Sequence, residues 1–273
     1  MQQRPTPPSD RNDWHALTWL IGLVSITGQL ENSRPQSLLI VGPPSSGKSE
    51  LMLRYRPAPG EVRNNHMLFA TSVTSWGLSE ILLNRVPQGV THLVAPELQT
   101  LIKRKGPVWD ATVGLLLPAM EEGVTDTFQG PLRKRFHGAR IGFITAIPDE
   151  AYDVHYRELE SCGLLSRMLT VRFQRSNENV LLARKAANFG DRSELQKITC
   201  PEFPKHGKIR VALSPRLATR IDEYAASLST KEVHRASNRF QALTKAIAWL
   251  EGSEEATLTH FEALAKHEKL WRF

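Results

Sequence analysis

Eight consecutive residues carry the most specific chemistry in this 273-residue chain: Gly42-Pro43-Pro44-Ser45-Ser46-Gly47-Lys48-Ser49. They satisfy the spacing G-x-x-x-x-G-K-[ST]. In that arrangement the glycines let the backbone curl until its N–H groups point at phosphate oxygens, and a helix opening near Gly47 adds the positive end of its dipole. Lys48 neutralises the β- and γ-phosphates, and the Ser49 hydroxyl is a ligand for Mg²⁺. Chance produces the pattern in about one chain in a hundred of this length. Here it also lies between an apolar run, Leu38 to Val41, and a helical pattern, Ser49 to Arg56, the context the chemistry needs. The expected ligand is a nucleoside triphosphate, ATP or GTP, with Mg²⁺.

Cleaving that ligand needs a carboxylate at the end of a neighbouring strand, to hold the metal and polarise the attacking water. Glu97, which follows the apolar run His92 to Ala95 and Pro96, is the candidate for both tasks. Two adjacent acids are the commoner arrangement. With a proline in the first place, either one carboxylate does the work of two or a second comes from elsewhere, Glu121 and Glu122 being the candidates. The plainer alternative is that Glu97 only starts a surface helix.

The elements that must position these residues alternate as in α/β proteins. Trp14 to Leu30 has apolar residues at helical spacing and reads as a helix packed beside the nucleotide domain. Strands are expected at Leu38 to Val41, Met67 to Ala70, His92 to Ala95, Ala139 to Ile147 and Met168 to Phe173, giving a mainly parallel sheet covered on both faces. Beyond Phe173 the pattern turns to helices only, at Ser176 to Phe189, Ser214 to Leu228, Val233 to Gly252 and Leu258 to Lys269. The expected division is a flexible arm over residues 1–13, an α/β core over 14–175 and an all-α domain over 176–273.

With these residues in place, the chain resembles AAA+ ATPases, and more narrowly the uncharacterised ATPases of phages and integrative elements in the helicase and MoxR-like branch. The resemblance implies an α/β/α core followed by a small α-helical lid. In "ARIGFITAI" it puts Thr145 at the sensor 1 position, which watches the γ-phosphate. "LLSRMLTVRF" is similar to the element that carries an arginine finger, which makes Arg167 the residue acting on a neighbouring subunit's nucleotide. "HRASNRFQALTKAIAWLEG" is similar to a lid helix with Arg235 at the sensor 2 position, Arg239 being its competitor one turn later. A trans-acting finger implies a homo-oligomer, a ring or filament, with the hexamer as one form.

"VTDTFQGPLRKRFHGAR" reads as a hairpin turning at Gly130-Pro131, placed where ring helicases and MoxR-like ATPases carry an insertion. Arg133, Lys134 and Arg135, with Arg140 nearby, are candidate phosphate contacts, and Phe136 and His137 candidate stacking partners for a base. A solvated basic turn without a ligand is the alternative. A second basic loop, Lys103-Arg104-Lys105, fits a subunit interface as well as DNA. The net charge of +7 and pI near 9.6 favour a polyanionic partner. No apolar segment is long enough to span a bilayer and no secretory leader opens the sequence, so a cytoplasmic, membrane-free protein is expected. Cys162 and Cys200 make no metal-type pair and read as free thiols.

Three functions follow from this reading. The first is a DNA motor or loader for replication or recombination of a mobile element, with DNA and a replication or recombination protein as partners. The others are a MoxR-like ATPase remodelling a protein, and a nucleotide-gated assembly protein with weak hydrolysis.

Overall fold

The computed structural model describes residues 13–57, 66–104, 106–129, 132–172, 208–228 and 232–271. Residues 1–12 of the expected arm, the helix at Ser176 to Phe189, the boundary at 175/176 and Cys200 lie outside the described residues, and Asp13, the last residue of that expected arm, opens a helix.

Five strands form one sheet: β1 (Leu38–Gly42), β2 (Met67–Phe69), β3 (His92–Ala95), β6 (Gly142–Pro148) and β7 (Leu169–Arg172), in the order β2-β3-β6-β1-β7. Every pairing is parallel. The run Leu38-Leu39-Ile40-Val41, and Phe143 to Ile147 apart from Thr145, are apolar without alternation because β1 and β6 are central and covered on both faces. A hairpin, β4 (Val124–Gln129) with β5 (Leu132–Ala139), precedes β6.

Side chains alternate between two cores. On one face Leu39, Val41, Phe143 and Ile147 pack under α3 (Ser75–Glu80), α4 (Gln99–Ile102), α5 (Pro107–Met120) and α6 (Asp149–Ser161). On the other, Leu38, Ile40, Ile144 and Val171 meet α1 (Asp13–Thr27) and α2 (Lys48–Leu53). The described residues therefore contain a three-layer α/β core with a five-stranded parallel sheet.

Helix α1 is buried on all sides rather than packed beside the core: Trp14, Leu17, Leu20, Ile21, Leu23 and Val24 are each at most 2% exposed. A helix apolar all round must be covered all round. Its outer cover is the C-terminal helices α7 (Pro215–Leu228), α8 (Val233–Leu250) and α9 (Leu258–Ala265), whose Leu217, Ile221, Phe240, Leu243, Ile247 and Leu264 join the same core. These helices are tied back at Leu30, which bridges Ile209, and by Arg210 on Glu31 at 2.6 Å.

Candidate nucleotide-binding site

The phosphate loop leaves the carboxyl end of β1, beside the end of β6, where Gly42 pairs with Pro148. Crevices at the carboxyl ends of parallel strands, where neighbouring connections diverge, are where such sheets hold ligands. β1 is such a point: the chain goes from it to the far strand β2 and returns from β6 across it to β7. Ser45 and Gly47 take positive φ, 56° and 84°. Gly47 is needed twice over, since a Cβ there would also lie 2.9 Å from the Trp14 ring. The Trp14 indole donates to the Ser46 carbonyl at 3.2 Å, so the start of α1 holds the loop's shape.

Lys48 opens α2 and folds back into the loop. Its ammonium donates to the Gly42 carbonyl at 2.7 Å, the Pro43 carbonyl at 2.5 Å and Ser46 Oγ at 3.2 Å. Burial pushes it down to about 8, while Asp149 acts to raise it. Pro44, Ser45 and Ser49 are exposed. A cation held on its own loop's carbonyls beside turned-out backbone fits a phosphate chain, and an exposed hydroxyl next to it fits a hard cation that keeps most of its waters.

Glu97 is exposed two residues beyond the end of β3, two strands from β1 and on the same edge of the sheet. The Leu98 N–H donates to the Ala146 carbonyl at 2.8 Å and pins this segment to β6. Glu121 and Glu122, the candidates for a second acid, are not on this edge. They follow α5 just where Ile141 donates to the Ala119 carbonyl, beside the start of β6. The carboxylate the strand ends do supply is Asp149, directly after β6 and close enough to act on the Lys48 charge. The sequence signal for it was available: an acid opening a helix immediately after a strand. Thr145 is fully buried in mid-strand between Leu39 and Ala95, its hydroxyl without a partner.

The two arginines singled out by resemblance lie together at the opposite edge. Arg167 ends a 3₁₀ turn (Leu165–Arg167) just before β7, whose first residue pairs with Leu38. Arg235 stands in the first turn of α8. Both meet Glu121: Arg235 donates Nε to Oε1 at 2.6 Å and Nη2 to Oε2 at 2.9 Å. Arg167 Nε lies 3.0 Å from Oε2, a charge contact whose N–H is not aimed at the oxygen, and its Nη1 donates to the Gly163 carbonyl at 3.1 Å. The bond from Arg235, then its charge and that of Arg167, hold the Glu121 carboxyl below its ordinary range. Arg239, the competitor, donates to the Ser166 carbonyl at 3.3 Å, and burial pushes it down to about 10. At about 3.3 Å per residue, the length of β1 separates this cluster from the phosphate loop. Arg235 therefore does not stand over the loop of its own chain.

The two strands of the hairpin are paired, with Asp126 opposite Arg135, Thr127 opposite Lys134 and Phe128 opposite Arg133, while Gly130 and Pro131 of the expected turn lie outside the described residues. Arg135 and His137 are exposed. Phe136 is not available to stack on a base, being 4% exposed and part of the core under α5. Arg140 is held on the Glu122 carbonyl at 3.0 Å. In the second basic loop Lys103 is exposed, Arg104 is committed to Ser72 and to the Val73 carbonyl, and Lys105 lies outside the described residues. Among the described residues no helix is long and apolar enough to cross a membrane, and no three His, Cys, Asp or Glu side chains gather as a metal site. Cys162 is free and half-buried. No family model and no curated protein matches the chain.

Proposed function

We propose that the chain is an AAA+ ATPase that binds ATP at residues 42–49, hydrolyses it as a homo-oligomer, and uses the cycle to move or load nucleic acid. The observation that carries the reading is the division of labour across the sheet. A phosphate loop and two carboxylates, Glu97 and Asp149, meet at one edge, and two arginines out of its reach sit at the other.

ATP with Mg²⁺ supplies the phosphoryl group and neutralises much of its charge. The protein's part is positional. Lys48 leaves the Gly42 and Pro43 carbonyls for phosphate oxygens, and the curled backbone N–H groups take the place of water around them. Ser49 and Glu97 would hold the metal's shell, and a Glu97 carboxylate oxygen would accept the proton of the water that attacks the γ-phosphorus as the bond to the β–γ bridging oxygen breaks and ADP leaves, with Asp149 as the second acid that Pro96 cannot supply. Arg167 from the next subunit meets the charge that builds on the transferred group.

A second reading, work on a protein partner, is favoured by one observation: Phe136 is committed to the core and leaves the hairpin without that stacking ring. Steady-state ATP turnover over a range of protein concentrations, with and without single-stranded and duplex DNA, separates the two. Stimulation by DNA with a steep concentration dependence is expected. Turnover indifferent to DNA selects the protein-directed reading, and binding without turnover selects a nucleotide-gated assembly protein. Lys48→Ala is expected to weaken ATP binding by about 100-fold, the loss of one or two charge-assisted hydrogen bonds, measured by calorimetry. Unchanged affinity rejects the loop as the site.

A further inference from the structure

Glu121 stands where three distant segments converge: the end of α5, the 163–167 turn and the first turn of α8. Its two oxygens are shared between two guanidinium groups, and Glu122 Oε1 stands 4.0 Å from Arg167 Nη2 as a weaker second partner. Arg34 and Arg239 add positive charge around the same carboxylate. Arginine thus outnumbers acid here, and the cluster is only partly covered: the side chains of Glu121, Arg167 and Arg235 are 16%, 18% and 38% exposed.

We propose that Glu121 is a positioning residue that holds Arg167 and Arg235 as a paired receiver and yields them to the phosphates of a nucleotide bound by a neighbouring copy of the chain. The proposal rests on the ATPase reading above and adds to it what the arginines do before a neighbour arrives. Guanidinium binds carboxylate and phosphate with the same two-pronged geometry, so the exchange needs no new shape in either arginine. A carboxylate offers one negative charge to two cations, whereas a triphosphate offers several, so the exchange is downhill once the neighbour's nucleotide is within reach. Until then the clasp closes the α8 end of the helical layer against the core, since Arg235 also reaches Ser166 Oγ at 3.4 Å. Assembly is then a competition for the arginines, with Glu121 as the competitor that sets the threshold.

The test compares wild type with Glu121→Gln, which keeps the shape and removes the charge. Sedimentation with a non-hydrolysable ATP analogue gives the protein concentration at half-assembly, and ATP turnover is followed over the same range. The expected result is a midpoint lowered by about three- to ten-fold, the worth of one partly exposed ion pair. ATP affinity of the unassembled protein, read by calorimetry below both midpoints, should not move, because Glu121 is remote from its own chain's loop. An unchanged or raised midpoint, in a protein that binds ATP and assembles, overturns the proposal alone and makes Glu121 a fixed brace. Failure of wild type to bind ATP in a Lys48-dependent way overturns the ATPase reading and this proposal with it. Should Glu121→Gln fail to fold, Glu121→Asp carries the test with the same sign, since its shorter arm breaks the two-pronged grip and keeps the charge.

Discussion

The two edges of the sheet are built on opposite principles. At the carboxyl edge the working parts are backbone groups and one lysine, shaped by Ser45 and Gly47 at positive φ, and the lysine's partners are carbonyls of its own loop. At the amino edge the working parts are side chains that satisfy one another, Glu121 with Arg167 and Arg235, and His92 with Thr91 and the Gln36 carbonyl. The first edge leaves Pro44, Ser45 and Ser49 exposed, whereas the second is closed on itself. A sheet about five residues deep keeps the two apart, so one chain does not bring its arginines to its own loop, and in the proposed assembly a second copy joins the edges.

The largest effect is expected at Arg167. If the amino edge serves a neighbour's carboxyl edge, Arg167→Ala should lower ATP turnover by about 10³-fold, the scale of a lost arginine finger, and leave ATP affinity nearly unchanged. Mixing experiments sharpen it: Arg167→Ala added to Lys48→Ala should recover activity, because each supplies the edge the other lacks. Loss of ATP affinity in Arg167→Ala would make the residue part of the fold rather than of the chemistry.

The carboxyl edge was legible because its residues are neighbours in the chain. A loop that curls as this one does at Ser45 and Gly47 concentrates its glycines, lysine and serine within residues 42–49, and one-dimensional spacing records that. The strands were legible for a similar reason, since central parallel strands are unbroken apolar runs such as Leu38 to Val41. The amino edge is written in residues 121, 167 and 235, and nothing local says that Glu121 will meet both arginines rather than stand beside Glu97. Phe136 misled for the same cause: beside Arg135 and His137 it looks like part of a polar tip, but it points into the core under α5. The burial of α1 was half-visible in its lack of a polar face, but its cover comes from helices some 200 residues later.

A second prediction concerns the closed edge alone. His92, wholly buried at the start of β3, is pushed down to about 3 from an ordinary 6.5, by burial first and by the charge of His66 second; burial takes His66 to about 4. Both stay neutral in the fold while the unfolded chain takes up protons below 6.5, so acid favours unfolding. Stability is complete above that value and falls as the pH drops toward 4 and 3, by up to about 1.4 kcal/mol per pH unit for each histidine. His92→Gln removes one of the two protons from that dependence. Urea titrations at several pH values from about 6.5 down to about 5, above the range in which the lowered Glu121 carboxyl adds its own acid dependence, should show a smaller slope than wild type, and an unchanged slope would mean that His92 charges within the fold.

The smallest effect tests whether the open edge is as self-contained as its motif. Trp14 lies 32 residues before Ser46 and belongs to no phosphate-binding pattern, yet its indole N–H holds the Ser46 carbonyl and its ring fills the space a Gly47 side chain would need. Trp14→Phe keeps an aromatic ring in the core and removes the donor. If α1 pre-shapes the loop, ATP should bind about five-fold more weakly, the worth of one hydrogen bond of roughly 1 kcal/mol, while the melting temperature moves little. Affinity equal to wild type would mean that Lys48 and the glycines fold the loop unaided, and that α1 touches the site without shaping it. A five-fold loss would make the N-terminal helix part of the nucleotide site. Because the same helix is packed against α8, it would also be a physical path by which nucleotide at one edge is felt in the element that carries Arg235 at the other.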